Sequence, residues 1–214
     1  MLNIERFVCN MFQENCYIVS DETGECVVID CGAFYQEEKD AIVSYIKDNN
    51  LKPVHLLCTH GHIDHNFGNN ALSAELNMQP EMHNADTPLY ERLKEQASIL
   101  CGVDLKEDIV PMGRYFSDGE IISFGSHKFK VINTPGHTPG SVFFYCEAEN
   151  LAFSGDTLFR FSIGRTDFEL GSYEDIIASL KNITSILPSS TTILPGHGPK
   201  TTIGDELRYN PYLK

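Results

Sequence analysis

Thr59-His60-Gly61-His62-Ile63-Asp64-His65 carries three imidazoles and a carboxylate within six consecutive positions. Burying such a group is costly unless its members share a partner. The stretch follows a short apolar run, residues 54–58, that opens after Pro53 and reads as a strand. Three other strand-like runs end in a similar way. Residues 129–132 lead into Asn133-Thr134-Pro135-Gly136-His137, 151–153 into Ser154-Gly155-Asp156, and 191–194 into Pro195-Gly196-His197-Gly198. Strand ends in layered α/β folds converge on one sheet edge, where ligand sites form. The recurrence therefore predicts that His60, His62, Asp64, His65, His137, Asp156 and His197 come together. Five of the eight histidines lie in these turns.

The remainder of the chain alternates strands and helices. Residues 16–19 and 26–29 flank the turn residues 21–24, which predicts a hairpin. Residues 36–49 place Ala41, Ile42, Tyr45 and Ile46 on one helical face, and 71–76 suits a helix. Thr87-Pro88 predicts an N-cap with proline at the first helical position, opening a helix through Leu89 and Leu93. Residues 121–124 and 128–132 flank Gly125-Ser126 as a second hairpin, and 142–146 is a further strand. Ser172-Tyr173-Glu174-Asp175 has the form of a capping box before Ile176, Ile177, Leu180 and Ile183. Helices come between strands and between hairpins, so a layered α/β protein with mixed sheets is expected.

At 214 residues, one domain spanning 1–214 is expected. The net charge of −14, with no basic stripe, argues against a nucleic-acid partner. No apolar run approaches the ~18–20 residues of a membrane helix. No signal-peptide pattern opens the chain, so a cytoplasmic location is expected. The seven cysteines are odd in number and form no C-x-x-C pair, which fits reduced thiols. Cys26, Cys58 and Cys146 read as small core residues. His55, His83 and His127 fall outside the recurrent turns and are expected to be structural.

Imidazoles mixed with carboxylates suit zinc, iron or manganese rather than calcium or magnesium. One metal needs three or four protein ligands, so seven suffice for two adjacent metals sharing a carboxylate.

The T-H-x-H-x-D-H motif, followed by a later His, Asp and His in this order, resembles the metallo-β-lactamase superfamily over nearly the whole chain. The resemblance implies a four-layer αββα sandwich, with two mixed sheets flanked by helices and metals at one sheet edge. It implies that His60, His62 and His137 hold one metal, that Asp64, His65 and His197 hold the other, and that Asp156 bridges them. The two divalent transition metals are expected to be zinc, with iron or manganese as the other choices. Asp30 matches an aspartate that orients a ligand histidine; a simple turn residue is its other reading.

Within the superfamily the chain looks like the short bacterial form of glyoxalase II, the hydroxyacylglutathione hydrolases. Residues 154–159 (Ser-Gly-Asp-Thr-Leu-Phe), 163–168 (Ile-Gly-Arg-Thr-Asp-Phe) and the ending from Gly196 support this. Arg165 matches a basic position that binds a glutathione carboxylate, with a surface or internal ion pair as the other reading. The longer glyoxalase II enzymes add a C-terminal helical domain, which this chain is expected to lack. They also carry tyrosines where this sequence has Thr166-Asp167 and Gly198-Pro199. Asp156 stands where true β-lactamases carry a cysteine ligand, which argues against antibiotic hydrolysis.

The implied reaction is hydrolysis of a small-molecule thioester, S-D-lactoylglutathione or a related acylated thiol. A metal-bound bridging hydroxide attacks, and Asp64 both coordinates and orients it. No G-x-S-x-G elbow offers a covalent route. Persulfide dioxygenases, which share much of the motif but use one iron, are the alternative. A non-catalytic binding module is a third reading, and the intact donor set argues against it.

Overall fold

The computed structural model describes residues 1–214. The first half of the chain forms a six-stranded sheet in sequential order: β1 (Asn3–Cys9), β2 (Glu14–Ser20), β3 (Glu25–Ile29), β4 (Lys52–Leu57), β5 (Pro80–His83) and β6 (Arg114–Phe116). β1, β2 and β3 pair antiparallel, and β3 through β6 pair parallel. Parallel neighbours need crossovers. These are supplied by α1 (Gln36–Asp48), α2 (Asn69–Leu76), α3 (Thr87–Tyr90) and α4 (Leu93–Cys101).

The second half builds another six-stranded sheet. β7 (Ile121–Phe124), β8 (His127–Asn133), β9 (Val142–Cys146) and β10 (Leu151–Gly155) form an antiparallel meander. A small hairpin, β11 (Leu158–Phe159) and β12 (Ser162–Ile163), leaves the sheet before α5 (Tyr173–Ile186). β13 (Thr192–Pro195) then returns parallel to β10, and β14 (Thr201–Thr202) closes the edge ahead of α6 (Ile203–Tyr209).

Side-chain alternation assembles the layers. Tyr17, Val19, Val27 and Ile29 point between the sheets and meet Phe124, Phe129, Phe144 and Phe153. Their chain neighbours Cys16, Ile18, Cys26 and Val28 face the other way, onto Ile42, Val43 and Ile46 of α1 and Leu72 of α2. On the far side, Phe143 and Ala152 pack beneath Ile176, Leu180 and Ile183 of α5. Two mixed sheets face to face with helices outside give the expected sandwich. No helix is long and apolar enough to cross a membrane. All seven cysteines are unpaired, and Cys26, Cys58 and Cys146 are buried.

Several elements differ from the sequence expectation. β1, β5 and β6 have no strong apolar signal. β1 is an edge strand, and β5 and β6 are short and tied by a polar ladder: Glu81 bridges His55 at 2.6 Å and Arg114 at 2.6 Å. The helix expected from Thr87 is two pieces, α3 and α4, with residues 91–92 between them. Asp86, not Thr87, is the N-cap of α3, so Pro88 sits one position further in. Ser172 caps α5 by accepting the Asp175 N–H at 3.2 Å, which is one half of a capping box.

The topology explains where the site lies. β3 and β4 run parallel, and so do β10 and β13. β8 shares the direction of β10 because β9 is antiparallel to both. Asp30 and the four ligand-bearing turns therefore leave the carboxyl ends of their strands. Cross-sheet bonds join the two edges: Val142 donates to Thr59 O at 3.0 Å, and Asn15 donates to Gly196 O at 2.7 Å.

Candidate metal centre

All seven predicted donors converge at this edge. Two ring nitrogens, His62 Nδ1 and His137 Nε2, face each other at 2.9 Å, and His60 completes their group. His65 Nε2 and His197 Nε2 lie 3.2 Å apart, with Asp64 Oδ2 3.3 Å from His197. Asp156 spans both groups. Its Oδ1 is 3.3 Å from His65 Nε2, and its Oδ2 is 3.5 Å from His197 Nε2 and 3.6 Å from His137 Nε2.

Local backbone makes this possible. His62 is extended, and a single 3-10 turn, Ile63–His65, then swings Asp64 and His65 to the second group. Glycine is required where chains cross the donors. A Cβ on Gly164 would lie 1.7 Å from the Asp156 carbonyl oxygen, and one on Gly196 would lie 2.4 Å from Asp156 Oδ1.

The outer nitrogens are held from behind. His65 Nδ1 donates to Asp30 at 2.9 Å, His137 Nδ1 to the Arg165 carbonyl at 2.7 Å, and His197 Nδ1 to the Phe12 carbonyl at 3.0 Å. Each ring, in its neutral form, therefore presents an unprotonated Nε2 to the centre. Asp30, at φ +51°, also accepts the Thr59 N–H and hydroxyl at 2.7 and 2.8 Å.

The donors fit divalent transition metals. Ring nitrogens that face each other at about 3 Å are placed to share a cation. His60 Nε2 and Asp156 Oδ1 are buried without a hydrogen-bond partner. Burial and neighbouring imidazoles push His60 far below the ordinary histidine value, and burial takes His62 to about 3, so both stay neutral donors. Burial also disfavours charge on His65, but Asp156, Asp30 and Asp64 outweigh it and hold that ring well above its usual value. His65, His197 and His137 pull Asp156 well below the carboxylate range against its burial. The surrounding carboxylates thus draw positive charge into the centre.

Arg165 is near the centre in an unexpected way. Its carbonyl orients His137, while its exposed guanidinium forms two 2.7 Å bonds to Asp167 and lies 3.9 Å over the Phe168 ring. Two other residues escaped sequence reasoning. Glu14 is fully buried 4.0 Å from His65 Nδ1, and burial raises its carboxyl well above the usual range. Asp86 links two donor loops, accepting from Gly61 N–H, Thr138 Oγ1 and Gly140 N–H. Its signal would have been the strand at 80–83, which runs parallel to β4 and ends at the same edge. His55, His83 and His127 each make hydrogen bonds away from this centre.

A metallo-beta-lactamase superfamily model matches residues 9–197. The chain is 35% identical over 213 residues to the hydroxyacylglutathione hydrolase GloC of Haemophilus influenzae, covering 99% of this chain and 98% of that one. Two solved structures are similar along their full length. TTHA1623, in a di-iron-bound form, matches with a TM-score of 0.86 at 36% identity, over 98% of this chain and 100% of that one. The B3 metallo-beta-lactamase BLEG-1 matches with a TM-score of 0.85 at 32% identity, over 100% of this chain and 99% of that one. With donors at four strand ends of a two-sheet sandwich, and with these relatives along its whole length, the chain belongs to the metallo-β-lactamase superfamily.

Proposed function

We propose that this protein is a cytoplasmic thioesterase that hydrolyses an acylated small-molecule thiol, of the S-D-lactoylglutathione type, with two zinc ions. The observation that carries this reading is the seven-donor set, with Asp156 reaching both histidine groups. Similarity to GloC supports the substrate class. His60, His62 and His137 would hold one metal and Asp64, His65 and His197 the other, with Asp156 within reach of both groups. Metals bound there lower the pKa of a water to about 7 and polarise a carbonyl oxygen.

The chain supplies position and surroundings. The centre opens into a cavity of about 530 Å³ walled by Phe12, Leu100, Phe159, Ile163 and Phe168. These side chains give the thioester an apolar wall. Asp64, on the cavity wall, accepts a proton of the attacking water and aims its oxygen at the carbonyl. The C–S bond then breaks, and the sulfur leaves as a thiolate that needs no strong general acid. Arg165, at the cavity rim, exchanges Asp167 for a substrate carboxylate, because an exposed ion pair is worth only ~0–1 kcal/mol.

Metal analysis of protein purified without added metal, with thioester and nitrocefin assays on the same sample, tests this. Two metals per chain and turnover of the thioester are expected. Saturation at one iron with oxygen uptake on a glutathione persulfide refutes it, as does turnover of nitrocefin alone.

A further inference from the structure

His62, Leu100 and Phe168 line two adjoining cavities. One is the cavity at the metal centre. The other, of about 170 Å³, lies beyond it, against α3 and α4. Its charged and amide groups are already engaged. Arg92 donates to Glu95 at 2.8 and 2.9 Å and to Glu169 at 2.8 Å. The Gln96 side chain accepts from Ile63 N–H at 3.0 Å and donates to the carbonyls of Gly61 and Leu89 at 3.2 and 2.7 Å. His62 turns Nδ1 toward His137. The surface left for a guest is the hydrocarbon of Leu89, Ile99, Leu100 and Phe168.

A polar guest would have to displace these bonds to find a partner, and would otherwise lose its hydration unpaired. An apolar one gains about fourfold in affinity per fully buried methylene. We infer, on the thioesterase reading above, that the preferred member of this class of acylated thiols carries an unbranched apolar arm that S-D-lactoylglutathione lacks, seated between Leu89, Ile99, Leu100 and Phe168 while its thioester lies at the metal centre. The space suits roughly four to six carbons at ordinary packing density. Ile99 and Leu100, two neighbours at the end of α4 that are 70% and 41% exposed, form the outer wall and set the length preference.

The test uses the metal-loaded protein and two substrate series. The first keeps N-acetylcysteamine as the thiol and lengthens the acyl group from acetyl to octanoyl. The second keeps acetyl and lengthens an alkyl thiol, which tells an acyl arm from a thiol arm. In one series, kcat/KM should rise about two- to fourfold per methylene up to about hexanoyl or hexyl, then level off. The double variant Ile99→Ser/Leu100→Ser, folded as judged by its Tm, should lose most of that slope. Turnover of acetyl thioesters with no length dependence in either series overturns the arm and leaves the thioesterase reading standing. If no thioester is turned over, that reading falls, and calorimetry with S-alkyl thioethers of N-acetylcysteamine decides the cavity. A Kd that tightens with chain length supports the apolar subsite, and one that does not overturns it.

Discussion

Asp86 accepts the backbone N–H of Gly61 at 2.8 Å, between the two donors His60 and His62. The same carboxylate accepts Thr138 Oγ1 at 2.7 Å and Gly140 N–H at 2.6 Å, just after the donor His137. One buried side chain thus ties together the loops whose imidazoles meet at 2.9 Å. A charged acceptor contributes about 1.5–3 kcal/mol through such a bond.

Asp86→Ala should therefore lower the Tm and weaken metal binding by about tenfold or more, the range found when partners behind ligands are removed. Metal competition with a chromophoric chelator measures this. Asp86→Asn, which keeps one acceptor oxygen, should fall between. Equal affinity in all three proteins would show that the loops hold their places without Asp86.

Asp64→Asn should lower kcat by orders of magnitude while the fold survives. The change keeps size but removes the anion 3.3 Å from His197 Nε2. The Asp64 carbonyl, which accepts Asn10 Nδ2 at 2.8 Å, is untouched. Near-normal thioester hydrolysis by the folded, metal-loaded variant would remove Asp64 from the mechanism.

Arg165→Ala should raise the KM for S-D-lactoylglutathione by about three- to tenfold, because a charged hydrogen bond is offset by release of Asp167. Asp167→Asn, which frees the guanidinium, should lower it. Metal content should hold in both, since His137 is oriented by the main-chain carbonyl. Equal effects of Arg165→Ala on an acetyl thioester lacking a carboxylate would assign the residue a structural part.

A separate cluster gives a pH signature. His127 donates to Asp21 at 2.9 Å and bonds Glu149 at 3.1 Å, joining the end of β2 to the β7–β8 and β9–β10 turns. Partial burial disfavours its charge, but the bonds to Asp21 and Glu149 prevail and raise its pKa above the ordinary value. A raised folded-state pKa stabilises most fully below the unfolded value of about 6.5, and the gain is lost as pH rises through the folded one. The Tm difference between wild type and His127→Gln should thus be largest near pH 6 and shrink above neutrality. A constant difference from pH 6 to 9 would show that His127 is not charged there.

The sequence by itself determined the donor set and the layers. Seven ligand-type side chains stand just past apolar strands, and alternation through residues 16–19 and 26–29 sorts one sheet's two faces. Both are local properties: a strand's period is two, and a turn at its end inherits the strand's direction. Only the tertiary structure decided which nitrogens meet, because that depends on β3, β4, β8, β10 and β13 sharing a direction across two sheets. It also decided the roles of Glu14 and Asp86. Each is one acidic residue among thirty in the sequence, distinguished only by burial against loops far along the chain. β5 and β6 were hidden for the same reason. Their pairing is held by Glu81 with His55 and Arg114, contacts between residues 26 and 33 positions apart that no local pattern records.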